Sequence, residues 1–93
     1  MNKAEIVSEV AKRNNLKRKE VLDVIDTMLS VVEEELVAGN EVTLVDFGIF
    51  EIRERKERMG VDPNTQKPIL IKKRLLPAFR PSRGLKVKVN TKN

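Results

Sequence analysis

Apolar positions recur at helical spacing as far as Asn40 and switch to strand-like runs beyond it. Ile6, Val7, Val10 and Ala11 fall on one stripe and predict a short amphipathic helix over residues 3–13. Asn2 is placed as its N-cap, with Glu5 three residues later in a capping-box position, and Asn14-Asn15 breaks the pattern. Val21, Leu22, Ile25, Met28, Leu29, Val32 and Leu36 form a broader stripe that predicts a longer helix over 18–38. Its start is poor, because Lys17-Arg18-Lys19 sets cations where the helix dipole disfavours them; Glu20 and Asp23 offset part of this. Gly39-Asn40 supplies a stop. Two helices so closely connected predict an αα-hairpin.

From Glu41 the period changes. Val42-Thr43-Leu44-Val45 suits a strand, Asp46-Phe47-Gly48 a tight turn, and Ile49-Phe50-Glu51-Ile52 a second strand. That strand runs on into Arg53-Glu54-Arg55-Lys56-Glu57-Arg58, which has no apolar residue and so no face to bury. Asp62-Pro63-Asn64 is a turn signal, and Pro68-Ile69-Leu70-Ile71 begins a return. Residues 53–74 are therefore expected to form a protruding two-stranded arm, each side of roughly 10 residues reaching about 33 Å. Pro81-Ser82 offers an N-cap for a last short helix over 83–90, which Gly84, Val87 and Val89 weaken.

Composition narrows what such a chain can do. Ninety-three residues allow one small domain or one subunit of an oligomer. Cysteine and histidine are absent, which removes disulfides, thiolate zinc sites and the usual general base. Glu33-Glu34-Glu35 places carboxylates together, but a solvated helix face explains them. The apolar runs are too short to span a membrane, and the chain opens in a polar, helix-like pattern rather than an apolar signal core. An intracellular, non-enzymatic protein is expected, with no cofactor, no metal and no small-molecule substrate.

Charge points to the partner. Residues 1–40 carry six basic and eight acidic side chains, whereas residues 41–93 carry 13 basic and six acidic, so the second part holds more than the whole net charge of +5. A basic cluster of this kind is the electrostatic footprint of a nucleic-acid binder, with a solvated basic surface as the plain alternative. On the arm, Arg53, Arg55 and Arg58 suit phosphate contact, or equally a charged edge that resists aggregation. The interleaved Glu51, Glu54 and Glu57 favour the second use, since ion pairs consume arginines. Pro63 is a turn-former by default; at the tip of a ribbon in a DNA groove it could also wedge between base pairs and kink the duplex. With the arm set aside, about 70 residues and three aromatics, Phe47, Phe50 and Phe79, remain for a core without staples, which predicts burial against a second copy with two-fold symmetry.

These residues, taken in order, carry a resemblance. Met1-Asn2-Lys3, Val42-Thr43-Leu44-Val45, Phe47-Gly48-Ile49-Phe50-Glu51, Arg53, Arg55, Arg58, Gly60, Pro63, Thr65, Pro77-Ala78-Phe79-Arg80-Pro81 and Leu85-Lys86 follow at the spacing of the HU/IHF family of bacterial histone-like DNA-binding proteins, over essentially the whole chain and closest to its HU branch. The resemblance implies an α+β fold: an IHF-like intertwined dimer with an N-terminal α-hairpin base, an antiparallel β-sheet saddle with protruding β-ribbon arms, and a short C-terminal helix. It divides the chain into a helical dimerisation base, 1–40, and a saddle with arm and last helix, 41–93, within one structural domain. It implies non-specific binding in the minor groove of double-stranded DNA, with bending of the duplex and compaction of the nucleoid, by a homodimer in the cytoplasm. By the same analogy Pro63 is the wedge, Arg53, Arg55 and Arg58 meet phosphates on the saddle and lower arm, and Arg80, Arg83 and Lys86 flank the DNA from the body, with Lys3 and Lys67 added to the binding set. Ile25, Leu29, Val32, Leu36, Leu44, Phe47, Phe50 and Phe79 are implied as the dimer core.

The chain departs from the family pattern at identifiable places. Asp46 and Gln66 stand where glycine is usual, and Val61 and Asp62 where a cation and an asparagine are frequent. Lys72-Lys73-Arg74 is more basic than usual. A shift of binding charge from the tip to the lower arm is expected. A sequence-preferring DNA-bending subunit of the IHF type, and an RNA-binding or interaction module, are the alternatives.

Overall fold

The computed structural model describes residues 1–92 and divides them into two compact units, Met1–Glu35 and Leu36 onward. The first unit is helical. Helix α1, Lys3–Asn14, begins where expected: the Asn2 side chain accepts from the Glu5 N–H at 2.9 Å, satisfying one of the donors that a helix start leaves free. Asn15 ends it in a left-handed conformation, φ 54°, its N–H turned back to the Ala11 and Lys12 carbonyls. Helix α2, Arg18–Val37, follows shortly after. Val7, Ala11 and Val21 form the buried cluster, with Val10 and Ile25 packed against it.

Arg18 ties these two helices together. Its Nε donates to Ser8 Oγ at 2.8 Å and its Nη2 to the Ala4 carbonyl at 3.3 Å. The cation that the sequence places unfavourably at a helix start therefore has partners on the facing helix. Beyond Val21, half of the α2 stripe lies open in the single chain: Leu29 is 45% exposed, and Leu22 and Met28 are also exposed, while Ile25, Val32 and Leu36 are partly buried.

The second unit takes in the end of α2, five strands and the last helix. Gly39, at φ 87°, turns the chain with its N–H on the Leu36 carbonyl. Strands β1 (Val42–Leu44), β2 (Gly48–Arg55) and β5 (Arg74–Pro81) form an antiparallel sheet in the order β1-β2-β5. Val45, expected in the first strand, instead opens the turn that includes Asp46 and Phe47, closed by the Phe47 N–H on the Leu44 carbonyl. Strands β3 (Arg58–Val61) and β4 (Pro68–Ile71) form a separate two-stranded ribbon. Helix α3, Arg83–Lys92, starts at Ser82, whose Oγ accepts from the Leu85 N–H at 3.1 Å, and runs two residues further than expected. The α+β architecture is thus the expected one: N-terminal helices, an antiparallel sheet with a β-arm, and a C-terminal helix.

The arm differs from the continuous ribbon expected over 53–74. Arg53, Glu54 and Arg55 still pair with Leu76, Leu75 and Arg74 inside the three-stranded sheet. Residues 56–57 and 72–73 then pair with neither sheet, and the ribbon resumes at Arg58↔Ile71. Four positions with charged side chains, Lys56, Glu57, Lys72 and Lys73, occupy this break, where nothing apolar holds the two strands in register.

Candidate nucleic-acid interface

The register of β2 and β5 sorts their side chains onto two faces. Side chains alternate along a strand, and directly paired residues share a face. Ile49, Glu51, Arg53, Arg55, Arg74, Leu76, Ala78 and Arg80 therefore stand on one side, and Phe50, Ile52, Glu54, Leu75, Pro77 and Phe79 on the other with Val42 and Leu44 of β1. Four arginines share the first face. The second gathers the aromatics: the Phe50 and Phe79 rings lie 4.9 Å apart and those of Phe47 and Phe79 5.4 Å apart. Gly48 is required there, because a Cβ at this position would stand 2.5 Å from the Phe79 ring and 2.7 Å from the Arg80 carbonyl oxygen. Phe47 and Phe79 are nonetheless 47% and 38% exposed in the single chain.

On the arginine face some cations are already engaged. The half-buried Glu51 carboxylate accepts from Arg53 Nη2 at 3.2 Å and pairs with Arg80 Nε at 3.4 Å. Glu54, which the same register sets on the opposite face, pairs with Lys73 Nζ at 3.4 Å. Of Arg53, Arg55 and Arg58, the arginines that cross-strand glutamates are expected to engage, only Arg53 is paired among the described residues, and by Glu51 of its own strand; Arg80 and Lys73 are engaged as well. Arg55, Lys56, Arg58, Lys72 and Arg74 form no ion pair among the described residues. These five line a hollow of about 530 Å³ at the break between sheet and ribbon, with Glu57 as the acid present. Sequence reading picks out four of the five and misses Lys56, which the run of alternating charges from Arg53 to Arg58 could have supplied.

The other sites separate by element. Arg80, Arg83 and Lys86 line a second hollow, of about 380 Å³, between the β1–β2 turn and the start of α3. Pro63 is exposed in the turn that joins β3 to β4, and Lys67 precedes β4. Lys3 belongs to the helical unit, where its Nζ meets Asp26 Oδ1 at 2.9 Å.

Residues 1–90 match the family described as bacterial DNA-binding protein. The chain belongs to that family. Its curated relatives include the DNA-binding protein HU of Thermotoga maritima, 44% identical across 96% of this chain and 99% of the relative, and that of Thermus thermophilus, 45% identical across 96% and 92%. Among solved structures, the Anabaena HU–DNA cocrystal structure superposes with a TM-score of 0.90 at 38% identity, covering 96% of this chain and 97% of that one. HU from Thermotoga maritima superposes with a TM-score of 0.68 at 32% identity, covering 96% and 98%.

Two departures from the family's sequence pattern acquire a structural meaning. Asp46 has φ 65° and Gln66 φ 61°, both in the left-handed region that glycine occupies freely and other residues do not. Together with Asn15 they are the non-glycine residues at positive φ among those described. The glycines expected there answer a backbone requirement that this chain meets with side chains.

Proposed function

We propose that this protein is a non-specific architectural DNA-binding protein, which as a homodimer grips double-stranded DNA, bends it and compacts it on the nucleoid. The observation that carries this reading is the two-sided sheet: four arginines on one face, an aromatic cluster on the other, and a proline-tipped ribbon at its end.

Each face has a use in the dimer. Leu29, Phe47 and Phe79 are large apolar side chains left open in the single chain, and a second copy would cover them. Ile25, Val32, Leu36, Leu44 and Phe50, already partly buried, would complete that core. The cations left for phosphates are Arg55 and Arg74 from the sheet, Arg58 and Lys72 from the arm root, Lys67 near the tip, and Arg83 and Lys86 from α3, joined by Arg53, Arg80 and Lys73 where phosphate displaces their glutamates. Contacts of this kind neutralise the backbone and read no base, so sequence preference would come only from how easily the duplex deforms. Pro63 is assigned as the wedge and Lys3 as a further DNA contact.

A salt series on linear and nicked duplexes, using protein of known oligomeric state, tests the reading. The logarithm of the binding constant should fall by roughly 0.9 per phosphate neutralised for each decade of salt. A monomer at working concentration, or indifference to duplex DNA in dilute salt, would overturn it. A preference above about 10³ for one site over random duplex would move the protein to the sequence-specific class.

A further inference from the structure

Arg55 and Arg74 stand directly opposite each other at the root of the arm, the outermost pair in the β2–β5 register. Side chains so placed share a face with their Cβ atoms about 4.5–5.5 Å apart, and like charges there destabilise a sheet. Neither guanidinium forms an ion pair among the described residues. On the same face Glu51 supplies such compensation to Arg53 and Arg80.

The crowding extends beyond this pair. Arg55 and Arg74 share the hollow of about 530 Å³ with Lys56, Arg58 and Lys72, so five cations meet one acid, Glu57, and leave a net charge of +4. Residues 56–57 and 72–73 lie outside both ladders, so the hollow sits where the pairing is interrupted. Ile71 and Leu76, both partly buried, add carbon to its lining. A concavity of this size suits a small molecule, since ligand pockets commonly measure about 300–1,000 Å³. Duplex DNA spreads its charge along a backbone, one phosphate per about 3.4 Å of each strand. A polyphosphate chain sets several charges side by side and matches converging cations more closely, and guanidinium groups hold such oxygens in pairs. A ring attached to that chain would cover the carbon of Ile71 and Leu76.

We propose that the arm-root hollow binds a nucleoside polyphosphate, one per subunit, with its phosphates bridging Arg55 and Arg74 and its base against Ile71 and Leu76. The consequence rests on the DNA-binding reading above: a bound nucleotide withholds these cations from the duplex, and so weakens the hold on DNA.

The test titrates ATP, without magnesium and at matched ionic strength, into the full-length protein by calorimetry. The wild type should saturate at one ATP per subunit. Arg55→Ala/Arg74→Ala should weaken ATP binding at least about tenfold, the scale of charge-assisted hydrogen bonds. In circular dichroism this variant should melt no lower than wild type, because it removes a like-charge pair. Lys12→Ala/Lys17→Ala takes the same charge from the helical unit and should keep ATP affinity within about twofold of wild type. Inorganic tripolyphosphate, which has no ring, should bind about three- to tenfold more weakly than ATP. Tripolyphosphate that binds as tightly as ATP overturns the nucleoside assignment. Equal losses in the two variants reduce the effect to net charge and overturn the site, as does the absence of saturation at one per subunit. In a second titration, ATP should weaken wild-type binding to a linear duplex and leave the residual binding of the arginine variant unchanged. ATP that fills the hollow without weakening the duplex complex overturns the competition. The first titration contains no DNA. A wild type that takes up ATP and ignores duplex therefore fails only the underlying reading, and one that binds duplex and not ATP fails only this proposal.

Discussion

The Asp62 carboxylate accepts a hydrogen bond from the Asn64 backbone N–H at 2.8 Å, and so encloses Pro63 in an Asx-type turn. Two further bonds fasten the same residue: its N–H donates to the Lys67 carbonyl at 2.9 Å, and its carbonyl accepts from the Gln66 N–H at 2.8 Å. The acid beside the proposed wedge, which by charge alone only repels phosphate, is also what closes the tip. Asp62→Asn keeps the acceptor and drops the charge. It should leave the bend angle unchanged and tighten binding by up to about fivefold, the scale of one exposed charge interaction. Asp62→Ala loses the acceptor and should reduce the bend. Fluorescence energy transfer across an end-labelled duplex reads both. Equal bending by the alanine variant would show that the turn holds without this bond.

Pro63→Ala isolates the wedge. The ribbon strands end at Val61 and resume at Pro68, so a change at 63 leaves their pairing intact. Phosphate contacts further down the arm persist, while the rigid apolar tip is gone. Bending should therefore fall more than affinity does. Gel mobility of duplexes with the bend placed centrally or terminally measures it, and an unchanged mobility ratio would remove Pro63 from the mechanism.

Glu51 holds two arginines that DNA could otherwise use. Its pairs with Arg53 and Arg80 involve side chains more than half exposed on the arginine side, so they add little to stability, about 0–1 kcal/mol. Glu51→Gln should leave the melting temperature within a few degrees of wild type. It should also strengthen binding at low salt and steepen the salt dependence by about one to two units, as freed guanidinium groups take phosphates. Weaker binding would mean that Glu51 aims its arginines at the DNA, and does not withhold them.

The parts of this molecule legible in sequence are those fixed by a few adjacent residues. Asn2, Gly39 and Ser82 each set a helix boundary through a bond or backbone angle within three residues, and each stands where the sequence pattern puts it. The phenylalanine cluster is legible because no other aromatic exists to form one. Arg18 reads as a liability in sequence because its partner Ser8 lies ten residues away, a distance only the packed helices close. The break in the arm is likewise hidden. Charged residues suit an exposed strand as well as an unpaired joint, and pairing across more than a dozen residues decides between them. The cations proposed to meet DNA are visible as a set in sequence, but which of them glutamates engage, Arg53, Arg80 and Lys73, shows only once the strands are in place.

Asp46 offers the last test, because the backbone and the side chain pull in opposite directions there. At φ 65° a residue with a Cβ bears a left-handed penalty of roughly 1–2 kcal/mol, which Asp tolerates better than most. Glycine removes the penalty but adds freedom to the unfolded chain, a loss of about 0.4–1 kcal/mol. Asp46→Gly should therefore gain roughly 0.5 kcal/mol, and raise the melting temperature by about 2–4 °C. Asp46→Ala keeps the Cβ without the polar group that tolerates this conformation, and should melt below wild type. The turn borders Gly48, which the Phe79 ring and the Arg80 carbonyl hem in, so the chain cannot escape the strain by shifting toward the sheet. Calorimetry should thus rank the variants glycine, aspartate, alanine in falling stability. An alanine variant as stable as the aspartate protein would show that the turn relaxes out of the left-handed region, and that the glycine usual here is not a backbone requirement.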